Sequence, residues 1–517
     1  MVESASRRWF FRGARALLPA LGVIIVIGAL GMSSQSAYAD STQVLIAHGL
    51  VTQAQGDGAD LFFRETFSGN GRTCGTCHRV TNNLVIDPNF IATLPASDPL
   101  FVAEFPPSQG GVPGLERPVL MHNFGLILEN LDGFENPTVK FVMRGVPHVL
   151  SLATSVRAPA DGRAPVERTG WSGDGAPGNG ALNVFPQGAV TQHFTKTLSR
   201  VAGVDFRLPT QTELNNIEAY LRSTGRLNEL SLANVRLTDA GAELGRRIFN
   251  NNNTDTTIAS GKCFLCHNNA GANTSFGGTN SNFNTGVETV THPARNLENF
   301  PFDGGFGTAN RDCNGDGIND CFGDGTFNVP PLIEAADTAP FFHNNVVSTI
   351  EDAVEFYSSP QFQASQGGAA VGGISLNLQE SFNVAALLRV INASFNVDIS
   401  IQRNNAAISL ENSAPTKGST PDGGGDTTGL RQTVNTELSL SNEEAQDAIN
   451  DLSARNLHPD AVTLLQSAIS ENNQAIQSND SQTRKSLMKS ALNDLQAAKG
   501  KFGTGLTLTM GQGNLLF

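Results

Sequence analysis

The sequence predicts a mostly α-helical chain: two domains of one kind, followed by a helical C-terminal extension. Three observations predict it. The string GDGADLFFRETFSGNGRTCGTCH returns 189 residues later as DAGAELGRRIFNNNNTDTTIASGKCFLCH, with small residues, an apolar pair, Arg, Phe and an Asn/Gly loop in the same order. Each copy opens on a helical pattern and ends on C-x-x-C-H. Beyond residue 430, SNEEAQDAINDLSARNLHPDAVTLLQSAISENNQAIQ and SQTRKSLMKSALNDLQAAK carry helical periodicity and no visible chemistry. A length of 517 residues leaves room for this plan and for a substantial core.

Taken in order, residues 1–39 read as an export signal. Arg7, Arg8, Arg12 and Arg15 form a basic start, the apolar run ALLPALGVIIVIGALGM follows, and AYA precedes Asp40. SRRWFFR also resembles a twin-arginine signal, and an uncleaved membrane anchor is the alternative. No later segment reads as apolar for long enough to span a bilayer, so no membrane span is expected after cleavage. The expected location is periplasmic or extracellular. The first domain runs over 40–235, holds a Pro/Gly-rich region at 86–190, and closes with the helix TQTELNNIEAYLRS. The second runs over 236–402 and closes with LNLQESFNVAALLRVINA. Residues 403–430, which include SAPTKGSTPDGGGDTTGL, read as a flexible linker, and 431–517 as a helical bundle or hairpin. The net charge of −14 argues against nucleic-acid binding.

Four of the six cysteines sit in CGTCH (Cys74, Cys77, His78) and CFLCH (Cys263, Cys266, His267). C-x-x-C-H is the attachment signal for c-type haem: the thiols bond the vinyl groups and the His supplies an axial nitrogen. A lone C-x-x-C also suits a redox dithiol or half of a zinc site, but two copies with His in an exported chain point to two covalently bound haem c groups. The domains are therefore read as cytochrome c-like haem domains. Attachment to an unfolded chain favours export before folding. The other pair, Cys313 and Cys321, is read as a disulfide. Asp312, Asn314, Asp316 and Asp320 around it follow the start of a calcium loop that lacks its terminal Glu, and an acidic turn is the equal alternative.

Each iron needs an account of its other face. No Met lies between Met143 and Met488, so the second domain offers His292, His343 and Tyr357. The first offers Met121, Met143, His122, His148 and His193. Tyr357 is one of only three tyrosines, and it shares a helix face with Ile350 and Val354, so a core role is its alternative. Ser348 and Glu351 read as a capping box starting that helix.

Over residues 57–395 the chain resembles the bacterial di-haem cytochrome c peroxidases and their relatives of the MauG type. The resemblance is carried by the two haem repeats and by FNVPPLIEAADTAPFFHNNVVSTIEDAVEFY. In the peroxidases, a Met fourteen residues after the His of this segment ligates the second haem; in MauG the ligand is Tyr, and Tyr357 stands at that spacing from His343. The departures are Glu334 near the usual Arg, and Asn344–Asn345 for Asp-Gly. The resemblance further implies a calcium ion at Thr338, Pro340 and, in place of an Asn, Ser151. It implies an inter-haem Trp, here Trp171 in GWSGDG. It also implies a Glu some twenty residues after that Trp, which moves a proton during O–O cleavage. That region here reads NVFPQGAVTQHFTK, with no carboxylate. Gln192 and His193 are nearest, and His193 suits either acid–base work or iron ligation.

The resemblance thus implies an oxidoreductase that reacts with hydrogen peroxide or a similar oxidant at the first haem. A His/Tyr second haem would store oxidising equivalents, and a small electron-donor protein or an organic substrate would be the partner. The alternative is a non-catalytic electron carrier with both irons six-coordinate. His343 is expected to hold a haem propionate or the backbone rather than an iron. His122, His148 and His292 are expected to be surface or structural residues.

Overall fold

The computed structural model describes residues 34–130, 141–157, 167–307, 323–413 and 429–517. Helix predominates, and the strands are few and short. The first half holds α1 (Ser34–Ala47), α2 (Gln53–Arg64), α3 (Pro88–Ile91), α4 (Pro118–Phe124), α5 (Leu152–Ser155), α6 (Phe185–His193) and α7 (Gln211–Leu221). Strands β1 (Leu126–Glu129) and β2 (Val142–Gly145) pair antiparallel, Leu126 opposite Gly145. Strand β3 (Arg236–Leu237) leads into α8 (Ala240–Asn250). Strands β4 (Asn282–Phe283) and β5 (Phe327–Asn328) pair antiparallel. Then follow α9 (Ile350–Phe356), α10 (Pro360–Gln363), α11 (Gln366–Val371) and α12 (Leu378–Ser413). The extension holds α13 (Leu430–Ser453), α14 (Pro459–Gln477), α15 (Ser481–Phe502) and β6 (Gly503–Thr504).

The two halves repeat one arrangement. In each, a helix leads to a C-x-x-C-H turn and packs on the helix that closes the half, α2 on α7 and α8 on α12. Both crossings need glycine. A Cβ on Gly58 would meet the Asn216 carbonyl oxygen at 1.9 Å, and one on Gly245 the Asn383 oxygen at 1.8 Å. Thr52 caps α2 with a capping box to Gln55, and the Asp239 side chain caps α8.

One boundary differs from the expectation. Helix α12 runs on to Ser413, so residues 403–413 are helix and not linker. The reason lies in packing: Ala406, Ala407 and Leu410 are buried on α12, which packs on α13 and α15. α12 is also long and apolar enough to cross a membrane, a property the sequence reading assigned to no segment after the signal. Most of its apolar stretch is buried among α8, α9, α13 and α15, which makes it the central core helix.

The extension is built into the molecule. Strand β6 pairs with β3, and the Arg64 guanidinium on α2 donates to the Phe517 carbonyl at 2.7 Å. Buried polar pairs join α12 to the extension: Arg403 to Glu437 at 3.0 Å, Ser400 to Ser441 at 2.8 Å, and Arg484 to Glu411 at 3.1 Å. Between the halves, the fully buried Glu334 carboxylate accepts from Arg226 Nε at 2.5 Å. Glu334, which departs from the Arg of the resembling segment, thus has a cation supplied from the residues after α7.

Candidate haem centres

Both C-x-x-C-H motifs fold as the same 3-10 turn. Cys77 N–H donates to Cys74 O at 3.2 Å and His78 N–H to the same oxygen at 3.0 Å; Cys266 and His267 repeat this on Cys263 O at 3.2 and 2.8 Å. The His78 Nδ1–H donates to Leu84 O at 2.9 Å, and the His267 Nδ1–H to Pro330 O at 3.0 Å. Each bond settles the tautomer, since a carbonyl only accepts, and leaves Nε2 with its lone pair. Burial holds both imidazoles down at about 4, so both are neutral at pH 7. All four thiols are free of disulfides. Burial pushes Cys74 and Cys263 up to about 12, and Cys77 and Cys266 up to about 11. A redox dithiol needs the opposite shift. Among the described residues no three His, Cys, Asp or Glu side chains are grouped to hold a metal ion.

Each motif opens on its own largely apolar cavity. Cys74, Cys77 and His78 line the first, with Trp171, Gln192 and His193. Cys263, Cys266 and His267 line the second, with Trp171, His343 and Tyr357. Trp171 stands in both walls, its Nε1–H donating to Gly145 O at 2.7 Å. The donor chemistry fits two c-type haems: paired neutral thiols, a neutral imidazole with a free Nε2, and an apolar hollow beside them.

Tyr357 follows α9 as its cap residue, with Ile350 and Val354 of the same face also lining the second cavity. Its hydroxyl meets no hydrogen-bond partner among the described residues. Burial, reinforced by Cys266 and Cys263, raises its pKa, so an ionised phenolate requires a cation in the cavity. The helix start is one residue from its expected place. Thr349, not Ser348, caps α9, accepting from Asp352 N–H at 3.1 Å. Glu351 instead pairs with Arg389 and Arg455 at 2.8 and 2.9 Å.

His343 is buried, its Nε2 on Glu288 Oε1 at 2.6 Å and its ring stacked 3.6 Å from Phe327. Its carbonyl accepts from Gly145 N–H at 2.7 Å, tying this loop to the residue that also holds Trp171. His292 donates to Asn344 O, and His122 lies exposed against Glu104, both in structural positions. His148 is different: it lines the first cavity, where the sequence reading expected a surface or structural residue. Met121 and Met143 are buried in separate apolar clusters and do not line that cavity.

His193 does line it, but not as a group that titrates near neutrality. Burial, then Arg72, Arg200 and His78, hold its pKa down at about 3. Gln192 Oε1 accepts from Asn130 N–H at 2.8 Å, binding α6 to the end of β1. Thr338 and Pro340 line the first cavity, while Ser151 lies buried at the start of α5 with its carbonyl bonded to Thr154 and Ser155 N–H. Asp312, Asn314, Asp316, Asp320 and both further cysteines lie outside the described residues. Sequence reasoning missed Glu288, Arg226 and Glu129, which ends β1 in the wall of the first cavity. Their only signal was negative, a charged residue beside an apolar run with no period to place it.

No protein-family model and no curated protein matches the chain. Among solved structures it is similar to one described as a MauG-like protein associated with microbial copper homeostasis. The identity is 16% and the TM-score 0.35, over 65% of this chain and 88% of that one. A likeness of that degree carries no argument about fold or function.

Proposed function

We propose that the chain is an exported di-haem c-type oxidoreductase of the cytochrome c peroxidase and MauG kind. One observation carries this reading: two cavities, each beside a C-x-x-C-H turn whose His is anchored through Nδ1 and free at Nε2, with Trp171 in the wall of both. Bound haem would supply an iron able to react with hydrogen peroxide or a similar oxidant and to hold oxidising equivalents. The chain's own part is to bind and orient. Cys74, Cys77, Cys263 and Cys266 would anchor the two groups, and His78 and His267 would hold one face of each iron. Tyr357 would hold the other face of the second iron, since an oxygen anion favours high oxidation states. Trp171, fixed by Gly145, stands where charge would pass between the cavities. A small electron-donor protein or an organic substrate would complete the reaction.

The alternative is a non-catalytic electron carrier with both irons six-coordinate. The neutral His193 and His148 in the first cavity favour it, because either offers a lone pair. Electron paramagnetic resonance of the ferric protein separates the two. One high-spin and one low-spin haem are expected. Two low-spin haems, with no spectral change on adding peroxide, would overturn the enzyme reading.

A further inference from the structure

The α6 segment in the wall of the first cavity carries no carboxylate, yet one lines that cavity from another element. Glu129, the last residue of β1, is the one Asp or Glu among the described residues of that wall, and the second cavity has none among its own. The strand end is held in place: the next residue, Asn130, donates its N–H to Gln192 Oε1 on α6, beside His193. The Glu129 carboxylate itself is loosely held. Arg144 Nη1 lies 3.4 Å from Oε2, outside ordinary hydrogen-bond range. The strong bonds of that guanidinium go to Asp303, at 2.5 and 2.9 Å. Oε1 meets no donor among the described residues.

We propose that Glu129 is the acid–base group of the first cavity, exchanging a proton with small ligands bound there, hydrogen peroxide included. This rests on the reading of that cavity as a haem site. The charged groups facing Glu129 are Arg144 on β2, Asp303 in the loop before β5, and Glu116 ahead of α4. Burial raises its pKa, Arg144 offsets part of the rise, and Asp303 and Glu116 add to it. A carboxyl raised above its usual range keeps its proton more readily than a free one, which suits a group that both takes and returns it. His193, held neutral far below its usual range, does neither, and the Gln192 amide does not titrate. As a carboxylate, Glu129 takes a proton from one peroxide oxygen and gives it to the other, which leaves as water. The transfer is internal to the peroxide, so no net proton is consumed, and bound haem would supply the two electrons that O–O cleavage takes.

The test uses the full holoprotein with Glu129→Gln and Glu129→Asp. Cyanide binding and peroxide reaction are followed by stopped-flow absorption between about pH 5 and 9. In the wild type, cyanide binding is expected to depend on a group titrating above the usual carboxylate range. Glu129→Gln is expected to remove that inflection and slow the peroxide reaction by about 10²–10⁴-fold, with resting ferric spectrum and melting temperature unchanged. Glu129→Asp should restore part of the rate. If Glu129→Gln reacts at the wild-type rate with the same pH profile, the assignment is wrong. It is equally wrong if the variant slows but keeps the inflection and melts lower, which would make Glu129 only a structural partner of Arg144. A wild-type protein whose spectrum answers neither cyanide nor peroxide would overturn the proposed function as well, and so marks that failure apart.

Discussion

Tyr357 shows how a residue's neighbours decide its role. An apolar helix face brings it into the second cavity, and the same face would suit a plain core residue. Two facts bear on the choice: its hydroxyl has no partner among the described residues, and Cys263, Cys266 and His267 line the same cavity. Tyr357 is half-buried, and its hydroxyl is left to meet whatever the cavity holds. On the proposed di-haem reading, Tyr357→Phe is expected to change the low-spin electron paramagnetic resonance signal of the second haem while leaving the first haem's signal alone. An unchanged low-spin signal would return Tyr357 to the core. The two C-x-x-C-H turns were legible because their residues are adjacent in the chain. Glu129 was not, because it reaches the first cavity through β1–β2 pairing and the fold of a Pro/Gly-rich segment without period.

Among the elements, α13 holds the molecule's most unusual electrostatics. It directs Glu444, Asp447 and Asp451 toward Asp337, whose carboxylate accepts from the amides of Asn392 and Asn396 on α12. Glu443 and Glu351 add to the negative field, and Arg389, Arg403 and Arg455 only partly offset it. Burial, then Asp447, pushes Asp337 up to about 7, and burial pushes Asp447 up to about 6. A carboxyl raised on folding binds its proton more tightly in the folded state. Its contribution to stability is therefore present below the ordinary value of 3.8 and is lost as pH rises through about 7. The melting temperature is expected to fall from pH 5 to pH 8. Asp337→Asn combined with Asp447→Asn should flatten that fall and raise the melting temperature at pH 8. A profile as steep as the wild type's would show that the seam is not the source. The helices of this extension were legible from periodicity, but their partners were not, because a polar stripe on α12 reads the same whether it faces water or Arg, Asn and Asp of another helix.

At the scale of the whole molecule, the extension is part of the core. Val434, Leu438 and Leu452 on α13 and Leu495 and Phe502 on α15 are fully buried, each worth about 1.5–3 kcal/mol relative to exposure. A chain ending at Ser413 is accordingly expected to lose solubility or to melt far below the full chain, with loss of both haem absorption bands. If it keeps both spectra and melts within a few degrees of the full chain, the extension is an appendage. By itself, the sequence determined the helical class, the repeated halves and the two C-x-x-C-H turns, because each rests on residues close together in the chain. Only the tertiary structure decided the rest: that His148 and Glu129 line the first cavity, and that α13 closes over α12. Those neighbours are distant in sequence and are brought together by burial of apolar surface, which has no local signature to read.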